Sequence, residues 1–585
     1  LLAGFRDFTA AERDLDAAFE LMPDRPWLMV ERSGVLLAQD RYEESLASAE
    51  QALSLAPNYR PAVQQVGRCL LLLDRRDQAI DHLRQATERL QCGGLWWQLA
   101  GLYRETLAYD EEADAIDRAE ALWPLMDKSY HEALAARRSD IAYHRGDLQA
   151  AVDQSEAVKG RFFKVVRENM KAALQSDAPR PPRKLLSLPF VSQHHMTCAP
   201  ATLSKLARYF DREADHLQIT EEICYDGTPW HSERHWAEQH GYLVREFKVT
   251  PESAAACIER DLPFTLSTVE ADNAHLQAVV GYDALRQTVL IRDPYNPNIG
   301  EMLGLGLQER YGPTGPRGML IVPEDQAHRL DGLELPDVDE YQHYFRLHRA
   351  LDAHDREAAH RIAQTLAERA PGHNLTHYTK LSLAAYDADP AGELEALDAL
   401  LEAHPDNEPL KMRRYAVLQR LERRDEASEL LETLVADPKS DDAFRERLIV
   451  LLQDDARQAP RIRALLRKLL RRRHSAALYH AYACTLWEEP DQRRLATDAY
   501  GFAATLADKN ELYADSYFVA QQHAGHTDQT LARLGERVER LGHKSAQPVL
   551  TYYHALCRVN RQTDALDQLD FAIERRPTDP ALDPL

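Results

Sequence analysis

A fixed spacing of 34 residues between small side chains constrains the fold of this chain more than any other feature of its sequence. Small residues recur at that spacing in three columns over the first 125 residues, and two prolines share it: Ala11, Ser45, Ala79 and Ala113; Ala18, Ala52 and Ala86; Ser33, Gly67 and Gly101; Pro23 and Pro57. Such a period is typical of solenoids, in which each repeat is one unit that stacks on the next. We therefore expect two helices per repeat, packed through the small residues, with a proline closing the second helix.

Residues 38–58 resemble the tetratricopeptide repeat (TPR), with Tyr42, Ser45, Ala52 and Pro57 in the positions that this repeat expects. The resemblance predicts a TPR-like array over residues 1–177. Leu1 falls just before the turn that precedes Ala11, so the first repeat lacks its leading helix and we expect an N-terminus truncated within a repeat.

The same spacing returns after residue 338. Pro371, Pro405 and Pro438 lie 34 and 33 residues apart, each after an amphipathic stretch. Between residues 445 and 545 the apolar spacing stays helical, but the repeats are too divergent to delimit. We predict a second TPR-like array over residues 338–585.

A different texture separates the two arrays. The proline-rich residues 178–184 cannot continue a helix and predict a linker. Residues 185–325 then carry extended runs, LLSLPFV, YLVREFKV, LPFTLSTV, LQAVVGYD, TVLIRD and GMLIVP, with two clear helical stretches at 198–210 and 233–240. The predicted fold class is therefore mostly α, with N- and C-terminal helical solenoids flanking a central α+β domain.

Cys198 stands where an extended segment feeds a helix whose first turn contains Pro200. The positive pole of a helix favours the thiolate form of a cysteine and hence its nucleophilicity. Gln193, five residues upstream, offers a side-chain N–H that could form an oxyanion hole with the backbone N–H of Cys198. The neighbouring His194 and His195 are candidates to line a substrate cleft, with solvated loop positions as the alternative.

A cysteine nucleophile requires a base and a group that orients the base. His275 heads an apolar strand, and Asp293 ends the next strand 18 residues on. Neighbouring antiparallel strands joined by a turn at 283–286 could hold Asp293 beside the imidazole. The order Cys, His, Asp with a Gln ahead of the Cys is the papain-like arrangement.

Residues 185–323 resemble the bacteriocin-processing, double-glycine cysteine peptidase family. The motifs that carry the resemblance are Gln193, Cys198 followed by Ala-Pro-Ala, His275 followed by Val-Val-Gly-Tyr, and the pair Asp293-Pro294. The resemblance implies a papain-like domain with Cys198 as nucleophile, His275 as general base, Asp293 as its orienting group and Gln193 as oxyanion donor. Ala199 replaces the family's glycine and narrows the approach to the thiol.

Family transporters also carry a membrane domain and an ATPase, and this sequence shows neither a membrane span nor a phosphate-binding loop. It therefore resembles the stand-alone members, and its substrate need not be a bacteriocin leader. We predict a cysteine peptidase that cleaves a protein or peptide recruited by the flanking arrays. The alternatives are an inactive peptide-binding scaffold and another acyl transfer at the same triad, such as deamidation.

Composition limits the partners. The chain has 71 basic and 94 acidic residues, a formal net charge of −23, so nucleic acids and anionic membranes would repel it. No apolar run approaches the roughly 18 residues of a membrane span. Seven scattered cysteines without a Cys-x-x-Cys pair predict reduced thiols and a cytoplasmic location, with export left open because the N-terminus looks truncated.

Three further features predict no chemistry. His231 and His235 have the spacing of a helical metal site but lack a third ligand, so we predict packing or surface roles and neither a metal nor a cofactor. Cys224 and Cys257 are predicted packing residues. The basic run from Arg461 to His474 is interpreted as a solvated helix face, with an acidic partner as the alternative.

Overall fold

The computed structural model describes residues 1–453, 455–577, 579 and 581–582. The chain forms two compact units, Leu15–Leu421 and Leu1–Asp14 with Glu422–Leu585. The fold class predicted from the sequence is confirmed: helical solenoids precede and follow an α+β region along the chain. The border of the units differs from the predicted domain boundaries, which stay predictions.

The first array is a succession of helices that pack against their chain neighbours. They are α1 (Phe8–Leu21), α2 (Pro26–Ala38), α3 (Tyr42–Leu55), α4 (Arg60–Leu72), α5 (Arg76–Thr87), α6 (Gly93–Glu105), α7 (Tyr109–Leu122), α8 (Lys128–His144), α9 (Leu148–Ser155) and α10 (Arg161–Leu174). Ser33 and Ser45 are fully buried. Each hydroxyl donates to the other residue's carbonyl oxygen at 2.8 Å, so the two polar groups cost little to bury.

The 34-residue register predicted for the third repeat is wrong by one position. The loop before α6 is one residue shorter than the loop before α4. The fully buried residues of the third repeat are therefore Ala100 and Ala119, whereas Gly101 and Ala113 are half-buried. Glu112 occupies the slot predicted for Ala113, and burial raises its pKa to about 7.

The α+β region contains one antiparallel sheet and the helices around it. The strands are β1 (Arg183–Leu185), β2 (Tyr242–Lys248), β3 (Phe264–Val269), β4 (Ala274–Asp283), β5 (Thr288–Arg292), β6 (Gly300–Leu303) and β7 (Arg317–Pro323). The helices are α11 (Cys198–Tyr209), α12 (His216–Ile223), α13 (Trp230–Gln239), α14 (Pro251–Glu259) and α15 (Gly304–Tyr311). The strand order is β2-β7-β3-β4-β5-β6, and β1 pairs with the end of β4.

Gly281 is required where β1 crosses the end of β4. A side chain at this position would collide with the backbone carbonyl of Lys184 on β1 and with Leu290 on β5. The strand bulges between Val279 and Gly281, which locally changes its register with β5. The glycine of the Val-Val-Gly-Tyr motif is therefore explained by close strand packing.

The sheet is covered on both faces. Met319 and Ile321 of β7 belong to one apolar cluster together with Leu203 and Leu206 of α11. The alternate residues Leu320 and Val322 belong to a second cluster with helix α14. This alternation matches the two-residue period of a strand. It fixes α11, and with it Cys198, against one face.

Several sequence-based expectations for this region were wrong. The run LLSLPFV is a strand only up to Leu185, and β1 begins inside the segment predicted as a linker. Helices α12, α14 and α15 were not predicted. They have eight or nine residues each, too few turns for a helical period to stand out; α14 instead begins with a capping box between Thr250 and Ser253.

Further helices follow the α+β region within the first unit: α16 (Val338–Asp352), α17 (Arg356–Arg369), α18 (Asn374–Tyr386), α19 (Pro390–Ala403) and α20 (Glu408–Arg420). Leu347, Leu351, Ala359 and Leu383 form a buried cluster that joins α16, α17 and α18. Consecutive helices are again packed in pairs, as expected for a repeat array.

The second unit is helical throughout its described part. Its helices are α21 (Arg424–Ala436), α22 (Asp442–Leu452), α23 (Ala459–Leu469), α24 (Ala476–Trp487), α25 (Arg493–Leu506), α26 (Glu511–His523), α27 (Thr527–Leu541), α28 (Gln547–Arg558) and α29 (Gln562–Arg575). These helices delimit the repeats that the sequence leaves unassigned. The basic run is less solvated than expected, because Arg461 and Arg473 pair with Glu432 and Glu446.

Candidate active site

Cys198 is the first residue of α11, as the sequence predicts. The loop before it is tightly folded: the Thr197 hydroxyl accepts the N–H of His194 at 2.9 Å, and Met196 has a positive φ of 63°. At the first position of a helix, the Cys198 N–H has no intrahelical acceptor and can serve a ligand. The positive pole of α11 also acts on the thiol.

Helix α11 is tied to the strand that carries His275. The Thr202 hydroxyl donates to the carbonyl oxygen of Leu276 at 3.0 Å, one turn along the helix from Cys198. Thr202, Leu203 and Leu206 are completely buried. The helix therefore cannot shift without disturbing both the core and the start of β4.

His275 and Asp293 come together across two neighbouring antiparallel strands. The ring Nε2 of His275 lies 2.9 Å from Oδ1 of Asp293, and both side chains are 26% exposed. The same Asp293 oxygen accepts the N–H of Tyr295 at 2.8 Å, which fixes the carboxylate. With Nε2 engaged, Nδ1 is the ring nitrogen left for Cys198.

The electrostatics of this group favour a charged imidazole. Burial alone would lower the pKa of His275, but hydrogen bonds to Asp293 and to the Cys198 thiol, together with their negative charges, raise it to about 9. The pKa of Asp293 is lowered: burial opposes the shift, but the hydrogen bonds from His275 and Tyr295 outweigh it. Imidazolium and carboxylate are thus the stable forms at neutral pH.

Gln193 is held by its backbone on both sides. Its N–H donates to the carbonyl oxygen of Pro294 at 2.9 Å, directly after Asp293. Its own carbonyl oxygen accepts the hydroxyl of Tyr42 at 3.1 Å. The side-chain Oε1 is buried and has no hydrogen-bond partner among the described residues. A ligand that completes this polar pocket would relieve the unmet hydrogen bond.

The two histidines beside Gln193 are turned toward the first array. The His194 ring packs edge-on against Tyr42, with centroids 5.5 Å apart, and against His216 at 4.8 Å. The His195 N–H donates to Oδ2 of Asp40 at 3.0 Å. Their predicted role in lining a substrate cleft stays a prediction.

Lys205 is a buried site residue that was not predicted from the sequence. It lies two turns after Cys198 on the same helix face and is completely buried; its Nζ is 3.4 Å from the carbonyl oxygen of Arg292. Burial, assisted by the Arg292 charge, lowers its pKa to about 7 although Asp293 and Cys198 act in the opposite direction. A lysine seven residues after the nucleophile, within an apolar helix, was the available signal.

The largest omission is a row of side chains from the first array, which we call the turn edge. These residues lie at the ends of α2, α4, α6 and α8 or in the turns that follow: Asp40, Tyr42, Asp74, Glu105, Asp140 and Tyr143. Asp74 accepts the N–H of Phe190. Glu105 binds Arg292 at 2.8 Å, and Tyr143 donates to Asp283 at 2.7 Å. Successive repeats thus contact successive parts of the catalytic region.

The other predicted positions carry no comparable geometry. His231 stacks on His348 with centroids 5.2 Å apart, in a packing role. Within the described part of the chain, no three His, Cys, Asp or Glu side chains are grouped to hold a metal ion. Burial raises the pKa of Cys257 to about 12, as befits a packing residue. Cys224 donates to the carbonyl oxygen of Met196 at 3.4 Å.

Among the described residues, no helix combines the length and apolar character needed to cross a membrane.

Known proteins resemble this chain in part. None of the curated proteins matches it. Similar solved structures include the APC/C hetero-tetramer Cut9-Hcn1 (10% identity, 100% of this chain and 93% of that chain, TM-score 0.32) and YrrB, a TPR protein with an unusual peptide-binding site (17%, 28% and 83%, 0.24). The peptidase domain of Streptococcus ComA, a bifunctional ABC transporter involved in a quorum-sensing pathway, is 18% identical over 24% of this chain and 98% of that chain, with a TM-score of 0.20. Residues 185–305 match the model of the Peptidase_C39 like family, and the resemblance to cysteine peptidases predicted from the sequence is thereby confirmed for this region.

Proposed function

We propose that this chain is a cysteine peptidase that cleaves a protein or peptide substrate through Cys198, His275, Asp293 and Gln193. The observation that carries the proposal is the hydrogen-bonded row formed by the Cys198 thiol, the His275 ring and the Asp293 carboxylate at the start of α11. Nucleophile, base and orienting group are the three parts that covalent acyl transfer requires.

The chemistry follows from these positions. The Cys198 thiolate attacks the substrate carbonyl carbon, and the negative charge that develops on its oxygen is stabilised by the Cys198 N–H and the Gln193 amide. His275 then gives its proton to the leaving amine, and an acyl-enzyme thioester remains. A water molecule, deprotonated by His275, hydrolyses the thioester and restores the thiol.

The helical arrays supply the proposed means of substrate capture. Solenoids present extended surfaces that bind peptides or helices, so we propose that a protein or peptide partner is recruited there. A cytoplasmic location fits the seven cysteines, each of which is a free thiol.

The test compares wild-type protein with Cys198→Ala. Both are incubated with proteins encoded beside this chain and with a peptide library, and products are read by mass spectrometry. New peptide termini that depend on Cys198 support the proposal. A gain of one mass unit per product, without cleavage, would replace it with deamidation. Unchanged substrates, together with a Cys198 thiol no more reactive than Cys92, would replace it with a peptide-binding scaffold.

A further inference from the structure

The loop that carries the oxyanion donor is built against the first array. Tyr42 is the first residue of α3, and Asp40 lies in the turn before it with a positive φ of 63°. Oδ1 of Asp40 lies 3.3 Å from the Tyr42 hydroxyl, and Oδ2 accepts the N–H of His195 at 3.0 Å. One turn of a repeat therefore meets the segment from Gln193 to His195.

The Tyr42 hydroxyl is the centre of this contact. It accepts the Ser192 hydroxyl at 3.2 Å and donates to the Gln193 carbonyl oxygen at 3.1 Å. Burial raises the pKa of Tyr42 to about 12, and the nearby Asp40 carboxylate adds to the shift although the bond from Ser192 opposes it. At neutral pH the phenol is therefore protonated and able to donate.

The other side of Gln193 is fixed by the catalytic strand. Its N–H donates to Pro294, so the peptide units on both sides of its Cα are bonded in opposite directions. The side chain of Gln193 itself has no hydrogen bond within the described residues that would hold it. Its position thus depends on its backbone, and the backbone depends on Tyr42.

We infer that Tyr42 and Asp40 of the first array are positioning residues of the oxyanion site, which hold the Gln193 loop and thereby set the rate at which Cys198 is acylated. The inference rests on the proposed function. It gives the first array a second role: besides its proposed capture of substrate, it completes the catalytic geometry.

Two probes separate oxyanion stabilisation from thiol reactivity. With p-nitrophenyl acetate, the Cys198 sulfur bonds to the carbonyl carbon through an oxyanion intermediate, and p-nitrophenolate leaves. With iodoacetamide, the sulfur displaces iodide from a CH₂ group, and no oxyanion forms. Tyr42→Phe removes the donor and keeps the ring. We expect its acylation rate to fall roughly 10-fold, less than the 10²–10³ lost with an oxyanion donor itself, and its iodoacetamide rate to stay near the wild-type value.

The decisive comparison repeats Tyr42→Phe in a Gln193→Ala background. If Tyr42 acts through Gln193, the second substitution has little left to remove and the additional loss falls to about twofold or less. An undiminished loss in that background would overturn the inference, because Tyr42 would then act on the fold in general. Equal acylation rates for Tyr42→Phe and wild type would overturn it too.

Control variants distinguish this positioning role from a general effect on folding. Tyr59→Phe removes a phenol hydroxyl in the same array that has no hydrogen-bond partner in the described part of the chain, and it should acylate like wild type. Thermal unfolding by circular dichroism checks that each variant is folded. If Tyr42→Phe does not fold, Asp40→Ala removes the acceptor of the His195 N–H instead and should lower acylation selectively; an unchanged rate overturns the inference. A wild-type protein acylated no faster than Cys198→Ala would refute the proposed function itself.

Discussion

Replacement of Glu105 is the sharpest test of how the first array supports the catalytic strand. The Glu105 and Arg292 side chains are 1% and 5% exposed, and Oε2 lies 2.8 Å from the guanidinium. Oε1 accepts the N–H of Ile299 at 2.5 Å. Glu105→Ala would leave a buried cation with only the Pro297 carbonyl oxygen, at 2.7 Å, and would orphan a backbone N–H.

Removal of one partner from a buried ion pair costs about 3–5 kcal/mol. The orphaned N–H alone would cost about 1–3 kcal/mol, and the two effects overlap because one carboxylate serves both groups. We therefore expect Glu105→Ala to lower the free energy of unfolding by about 3–5 kcal/mol. Glu105→Gln keeps an acceptor but loses the charge, so its loss should be smaller.

Urea unfolding measures the free energy, and hydrogen exchange over residues 293–303 shows whether the damage is local. Glu111 is an exposed glutamate of the same array, and Glu111→Ala should stay within about 0.5 kcal/mol of wild type. The reasoning is refuted if Glu105→Ala is no less stable than Glu111→Ala, or if exchange rises elsewhere but not over residues 293–303.

Three other predictions use different observables. Because the pKa of His275 is raised to about 9, its contribution to stability should be complete below about pH 6.5 and be lost as the pH rises through 9; kcat/KM should fall along the same alkaline limb, and Asp293→Asn should move that limb to lower pH. Lys205→Met should be more stable than wild type by about 1–4 kcal/mol at pH 6. Because the pKa of Lys205 is lowered to about 7, wild-type stability rises toward pH 10, so the advantage of Lys205→Met should shrink over that interval when followed by urea unfolding. Gly281→Ala should lower the thermal midpoint, since the new methyl group meets the Lys184 carbonyl, whereas Gly146→Ala, which meets no neighbour within 4 Å, should cost only the strain of its positive φ.

Each of these has a contrary result. An alkaline limb that Asp293→Asn leaves in place would show that Asp293 does not set the His275 pKa. A Lys205→Met protein less stable than wild type at pH 6 would show that the buried ammonium is a net stabiliser. A Gly281→Ala midpoint equal to that of wild type would mean that β1 can move away from β4.

The catalytic geometry was accessible from the sequence because it follows from local rules. A helix start places Cys198, and two consecutive strands joined by a short turn bring the head of one beside the end of the next, so His275 and Asp293 could be paired from their spacing alone. The register slip at Glu112 was not accessible, because a loop shortened by one residue leaves the small-residue pattern almost unchanged. Sequence columns identify a repeat period more reliably than the buried residue within each repeat.

The contacts between the array and the catalytic region could not be predicted, for a different reason. Tyr42 and Gln193 are 151 residues apart. Tyr42 occupies a position that the repeat expects of it, so nothing marks it as unusual. Glu105 and Arg292 are two charged residues among many in an acidic chain. Only the superposition of a 34-residue period on the surface of the α+β region brings them together.

The turn edge has a consequence for how this protein can change over evolutionary time. Solenoids ordinarily gain and lose whole repeats, because each unit contacts only its neighbours. Here Asp40, Asp74, Glu105 and Asp140 each meet a different partner, so excision of one repeat would set every later turn against the wrong segment. The number of repeats before residue 178 is therefore fixed by the catalytic region, while the helix surfaces away from the turn edge stay free to diverge and acquire new ligands.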